Sequence, residues 1–216
     1  MNKTLAIICL MILCSFGTAM ADYTANVTQD VTIESVGGTY TGTSLYAGYS
    51  TSYGIENTLL TYNQPSLPAG QTISDVTLNF DVYSVPSSSH TLNIYSNPNT
   101  TWSPSTVTYN NFGNSNNSLI SQISSPGKQW YSVDVTSYVE SQLAAGNNSF
   151  TFVIGTADAS QDTSNAYYGI ESDRYSNGTY QSYLDYQTTA ATPIPAGIWL
   201  FGSGLAGLVG IKKRIG

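Results

Sequence analysis

Asp81 and Asp134 each fall on the polar side of a segment that alternates apolar and polar residues. Two carboxyls placed that way, roughly 5 to 10 Å apart, are all that glycosidic cleavage by acid–base or nucleophilic chemistry needs. The other reading, and the one adopted, is that Asp134, within Val133-Asp-Val-Thr136, caps a short helical turn or bonds neighbouring backbone N–H groups. His90 stands beside the serine-rich turn 87–89, and a Ser-His-Asp arrangement would need a carboxylate to orient its ring. With one histidine in the chain and both cysteines confined to positions 9 and 14, no ligand set for zinc exists. No catalytic residue is assigned. Asp158, Asp162, Glu171 and Asp173 supply clustered oxygens of the kind that calcium takes, 6 to 8 at a time. Surface carboxylates in an acidic secreted protein usually hold no metal, so no cofactor is expected beyond an optional structural calcium.

Tyrosine offers a different chemistry. All 17 tyrosines lie between residues 22 and 192. A tyrosine presents a rigid flat face for the C–H patches of a sugar ring and a polar tip for its hydroxyls, at low entropic cost. Two clusters stand out: Tyr40, Tyr46, Tyr49 and Tyr53 in a Gly/Ser/Thr-rich stretch, and Tyr167, Tyr168, Tyr175 and Tyr180 around Glu171 and Arg174. Tyr46, Tyr49, Tyr53, Tyr167, Tyr168 and Tyr175 are the expected sugar contacts. The alternative is that tyrosine simply fills strand positions, for which it has good propensity.

The elements that must position these residues are strands. In 76–83, Val76, Leu78, Phe80 and Val82 share one face, while Thr77, Asn79, Asp81 and Tyr83 share the other. Similar short segments recur at 26–34, 58–62, 91–95, 131–135, 150–154 and 183–186, separated by turn clusters rich in Pro, Gly, Ser and Asn. The pattern predicts an all-β fold, a sandwich of two antiparallel sheets. One helical turn is expected over 136–145, ended by Gly146.

The termini read as addresses. Lys3, an apolar run over 5–16, and Ala19 and Ala21 around Met20 predict a secretory signal peptide over 1–21. Its removal leaves no cysteine, hence no disulfide. Residues 22–189 then form one domain, and 190–216 a C-terminal sorting segment. The 16 apolar residues 196–211 would span about 24 Å as a helix, short of a hydrocarbon core of roughly 30 Å. Lys212, Lys213 and Arg214 follow and favour a cytoplasmic C-terminus. Gly202-Ser-Gly-Leu-Ala-Gly207 matches a dinucleotide fingerprint in letters alone, because no βαβ unit surrounds it. Between the two terminal segments, Lys128 and Arg174 face 13 carboxylates, a formal charge of −11. Nothing there displaces counterions from phosphates, so nucleic acid is excluded as a partner. Acidic polysaccharides would need a bridging cation, which favours neutral or weakly charged glycans.

The tail, with Pro193, Pro195 and Ala196 in Pro193-Ile-Pro-Ala196, resembles the PEP-CTERM sorting signals in their Pro-x-Pro-Ala variant. That resemblance implies a Gram-negative host, passage through the inner membrane, and trimming by an exosortase-type membrane protease. Three internal segments, 67–78, 101–110 and 130–139, resemble the DNRLRE (disaggregatase-related) domain. It implies an extracellular jelly-roll sandwich, in some members a carbohydrate-binding module. Trp102 and Trp130, each just before a β-rich run, coincide with positions that look like core packing. Three functions remain open: a non-catalytic module that binds polysaccharide at the cell surface or in the extracellular matrix, a polysaccharide-degrading enzyme, and a purely structural matrix protein. Oligomeric state is not indicated.

Overall fold

The computed structural model describes residues 20–190. Most of the expected leader, with Ala19, and the sorting segment, with Pro193, Pro195 and Ala196, lie outside the described residues. Ala21 is the second residue of strand β1. Among the described residues no helix is long and apolar enough to cross a membrane.

The described chain is mostly β. Its strands are β1 (Met20–Glu34), β2 (Thr39–Tyr40), β3 (Ser44–Ser50), β4 (Gly54–Asn63), β5 (Gln71–Ser84), β6 (Thr91–Asn97), β7 (Ser118–Ser124), β8 (Gln129–Asp134), β9 (Ser149–Thr156), β10 (Ala166–Glu171) and β11 (Tyr183–Ala190). One helix, α1 (Thr136–Ala144), follows β8. The chain divides into two compact units. The larger holds Asp22–Leu67 and Ile73–Thr188, and the smaller includes Pro68–Thr72 and Thr189, where the Thr72 and Thr189 hydroxyls lie 3.0 Å apart.

The strands run in the order β2-β1-β11-β5-β10-β3-β4-β9-β6-β7, with β8 on β5, and β1 also pairs with β4. The path from β1 through β11, β5, β10 and β3 to β4 therefore returns to β1. Instead of two separate sheets, one continuous sheet curls over its own core in a barrel- or sandwich-like arrangement. The cause is the length of β1: at 15 residues, with a register shift between Val27 and Gln29, it reaches partners on both sides of the core.

That core takes Val76, Leu78, Phe80 and Val82 from β5, Phe150, Phe152 and Ile154 from β9, and Leu45, Ala47, Tyr168 and Ile170 from β3 and β10. Strands β1, β4 and β9 are also covered on their other face. Val31, Ile33, Leu59 and Val153 form a second cluster beneath Trp102, Val107 and Phe112 of the long β6–β7 connection. Asparagine side chains shape that connection. Asn97 donates to the Gly113 carbonyl and the Asn117 amide oxygen, at 3.3 and 2.6 Å, and Asn99 donates to the Phe112 carbonyl at 3.1 Å. α1 ends as its sequence predicts, with Gly146 at φ 83° donating to the Leu143 carbonyl at 2.9 Å.

Candidate functional site

Register alone assembles the most unusual side-chain group on the surface. Across four adjacent strands, Glu34 of β1 is paired with Glu56 of β4, Glu56 with Gly48 of β3, and Gly48 with Tyr167 of β10. Directly opposed residues in antiparallel strands point to the same face, so this row reads acid, acid, gap, aromatic. Gly48 makes the gap: any side chain would meet the Ala166 carbonyl oxygen at 2.2 Å, and its φ of +143° excludes most residues. In the next row Tyr46 is paired with Gly169, whose missing side chain leaves room for the Tyr83 ring.

Tyrosine rings wall the resulting hollow. Tyr46 packs against Tyr40 at 5.6 Å between ring centroids and against Tyr167, edge to face, at 5.3 Å. Tyr53, from the β3–β4 turn, closes another side and is 49% exposed. Together with Glu34, Ser50 and Glu56 they line a pocket of about 210 Å³. Both glutamates are more than nine-tenths buried. Burial first, and the facing Glu34 second, push the Glu56 carboxyl up to about 7, and burial also raises Glu34. Glu56 Oε2 is buried with no hydrogen-bond partner. Burial, then Tyr83, raises the Tyr46 phenol.

Of the tyrosines expected from sequence, Tyr46, Tyr53 and Tyr167 thus converge, joined by Tyr40. Tyr49 shares the strand parity of Leu45 and Ala47 and points to the opposite face. Tyr168 is a core residue, 1% exposed, whose hydroxyl donates to the His90 carbonyl at 2.8 Å, so it has no face to offer a ligand. Tyr175 lies elsewhere, against Tyr180 at 5.9 Å.

Trp130 corrects the expectation of a core tryptophan. It is 41% exposed and tilts against Tyr183 at 5.8 Å, in a groove of about 530 Å³ with Asn26, Gln181 and Asp185. The Leu78↔Val133 pairing directs Val133 to the core, and Trp130, three residues earlier, takes the opposite parity. Trp102, by contrast, is buried as expected.

The carboxylates considered for catalysis do not form a pair. Asp134 is opposite Thr77 and Asp81 opposite Trp130, four rungs apart, about 13 Å along the strands. Asp134 accepts from the Thr136 hydroxyl and backbone N–H, at 2.7 and 2.9 Å, and those bonds hold it below the usual carboxylate range. The Ser88 hydroxyl lies 2.7 Å from His90 Nε2, while His90 Nδ1 is 3.8 Å from Asp162. That order resembles a catalytic triad, but 3.8 Å is beyond hydrogen-bond range and Ser88 meets its histidine through a local contact in an exposed turn. Three of the four acids considered for calcium face different neighbours. Asp162 faces His90, Asp173 pairs with Arg174 at 3.1 Å, and Glu171 neighbours Asp81. Among the described residues no group of three or more His, Cys, Asp or Glu side chains could hold a metal ion.

A mostly β domain whose aromatic rings and buried acids open onto a sheet face has the form of a binding module. The chain belongs to carbohydrate-binding module family 96, whose family model matches residues 21–191. No curated protein matches it.

Proposed function

We propose that this domain is a non-catalytic glycan-binding module of an exported protein, and that its site is the pocket of Tyr40, Tyr46, Tyr53 and Tyr167 over Glu34 and Glu56. One observation carries the reading. The only opposed pair of buried glutamates among the described strand registers sits where three sequence-predicted tyrosines converge. Rings supply stacking faces, and Ser50 and the carboxyls supply acceptors for sugar hydroxyls. The likeness of three segments to DNRLRE domains and the PEP-CTERM-like tail support a fuller picture. In it the leader is removed, an exosortase-type protease trims the C-terminus at the inner membrane, and the product holds polysaccharide at the cell surface or in the matrix. No cofactor is part of the reading.

A glycan array probed with the full chain, with and without calcium, tests binding. Tyr40 and Tyr53 are 39% and 49% exposed, so their replacement by alanine leaves the fold intact. Each change is expected to weaken binding about tenfold. The Trp130→Ala variant should bind like the wild type; if it alone loses the glycan, the Trp130–Tyr183 groove is the site. Release of reducing ends from a bound polysaccharide would make the protein an enzyme. Intact mass of the exported product is expected to lack the residues after about Pro195, and retention of the tail would refute the processing step.

A further inference from the structure

We infer that the hollow between Glu34, Glu56 and the four tyrosine rings is built for an ammonium group, the free amine of a deacetylated amino sugar within a glycan chain. This rests on the pocket being the glycan site and names the chemistry of the sugar it takes.

The acid pair demands explanation first. Like charges directly opposite in adjacent strands destabilise a sheet, and here both are buried. No protein cation relieves them. Of the two cations among the described residues, Arg174 is committed to Asp30 at 2.6 Å, Asp173 at 3.1 Å and the Gly42 carbonyl at 3.0 Å, and Lys128 stands exposed in the β7–β8 turn. Every other wall is uncharged: Tyr40 from β2, Tyr46 and Ser50 from β3, Tyr53 from the turn and Tyr167 from β10. Glu56 Oε2, without a hydrogen-bond partner, is an acceptor left for something that enters.

The rings agree with the acids. The face of an aromatic ring is the negative end of its quadrupole, so several rings around one volume favour a cation there. A neutral hydroxyl would meet the lone acceptor but bring no opposite charge to the acid pair. A uronate would be repelled by both. A metal ion would find two carboxylates and no third acid or imidazole. About 210 Å³ is below the range of pockets for drug-sized ligands and suits one sugar residue. The formal charge of −11 between the terminal segments steers a polycation inward over a longer distance.

Titration of the full chain near neutral pH with an oligomer of glucosamine, its fully N-acetylated counterpart and tetramethylammonium chloride decides the matter. The glucosamine oligomer is expected to bind at least about tenfold more tightly than the acetylated one. Glu56→Gln should abolish that preference while its melting curve shows an intact fold. Equal binding of the two oligomers, or a preference that survives Glu56→Gln, overturns the ammonium inference and leaves the glycan site standing. Binding of tetramethylammonium without either oligomer overturns the amino sugar as occupant. Failure of every probe, together with a blank glycan array, overturns both readings.

Discussion

Trp102→Ala is expected to destabilise the protein by about 3 to 5 kcal/mol, the range for emptying a large aromatic site in a core. That corresponds to a loss in melting temperature on the order of 10 °C. The reason is local architecture. Trp102 closes the second cluster, meeting Phe112 edge to face at 6.5 Å above Val31, Ile33, Leu59 and Val153. Its indole N–H donates to the Thr151 hydroxyl at 3.2 Å, and that hydroxyl lies 3.0 Å from the Thr61 hydroxyl of the neighbouring strand. Alanine would remove the ring, open the cluster to water and strip the threonine pair of its donor. Trp102→Phe keeps most of the apolar area and loses the N–H bond, so its cost is about 1 to 2 kcal/mol. Calorimetry of both variants checks the ordering. A phenylalanine variant as unstable as the alanine one would mean that the hydrogen bond, not the packing, holds the connection down.

Trp102 also shows what the sequence makes legible. Where packing follows a local period, the sequence reveals it: the alternation in 76–83 becomes the fully buried face of β5, and Gly146 stops α1. Four strands carry no such period, β2, β3, β7 and β10, and β3 and β10 bring Tyr46, Ser50 and Tyr167 to the site. Ser44-Leu-Tyr-Ala-Gly-Tyr-Ser50 and Ala166-Tyr-Tyr-Gly-Ile-Glu171 each contain a glycine where another residue would restore the strand pattern. Those glycines are there because neighbouring backbone or ring atoms come too close for a side chain. Without β10 as a strand, nothing separates Tyr167, which faces the pocket, from Tyr168, which faces the core. Parity decides, and parity needs the register. Trp130 differs: its core assignment follows from the resemblance, while its parity opposite to Val133 turns it outward.

The acid pair was beyond sequence altogether. Glu34 and Glu56 meet only through the long-range registry of β1 with β4, and no local motif marks either one. Asp30 and Arg174 find each other in the same way, at 2.6 Å across more than a hundred residues of chain. By contrast, composition was enough to find tyrosine as the residue type of interest, because the low count of cations and the absence of metal-ligand spacings left little else that could bind.

Glu56→Gln is expected to stabilise the protein at about pH 8 by roughly 3 kcal/mol and to leave its stability unchanged at about pH 4. The sign follows from proton occupancy. The carboxyl is raised from an ordinary value of 4.5 to about 7, so between those limits the folded state holds more protons here than the unfolded chain does. Stability contributed by this group is therefore complete below about 4.5 and lost as pH rises through about 7. Above that range the folded state must keep a charged carboxylate buried opposite Glu34. Glutamine keeps the shape and removes the charge, so the gain should appear only on the alkaline side, as a melting temperature higher by roughly 6 to 12 °C. Burial raises Asp81, Glu171 and Asp185 as well, so the wild type has several acids acting in the same direction. Only the difference between variant and wild type isolates Glu56. Identical melting curves at alkaline pH would show that the carboxylate is not buried at a cost. A gain at alkaline pH joined to loss of ammonium binding would show a fold that holds an unfavourable charge where a ligand's opposite charge completes it.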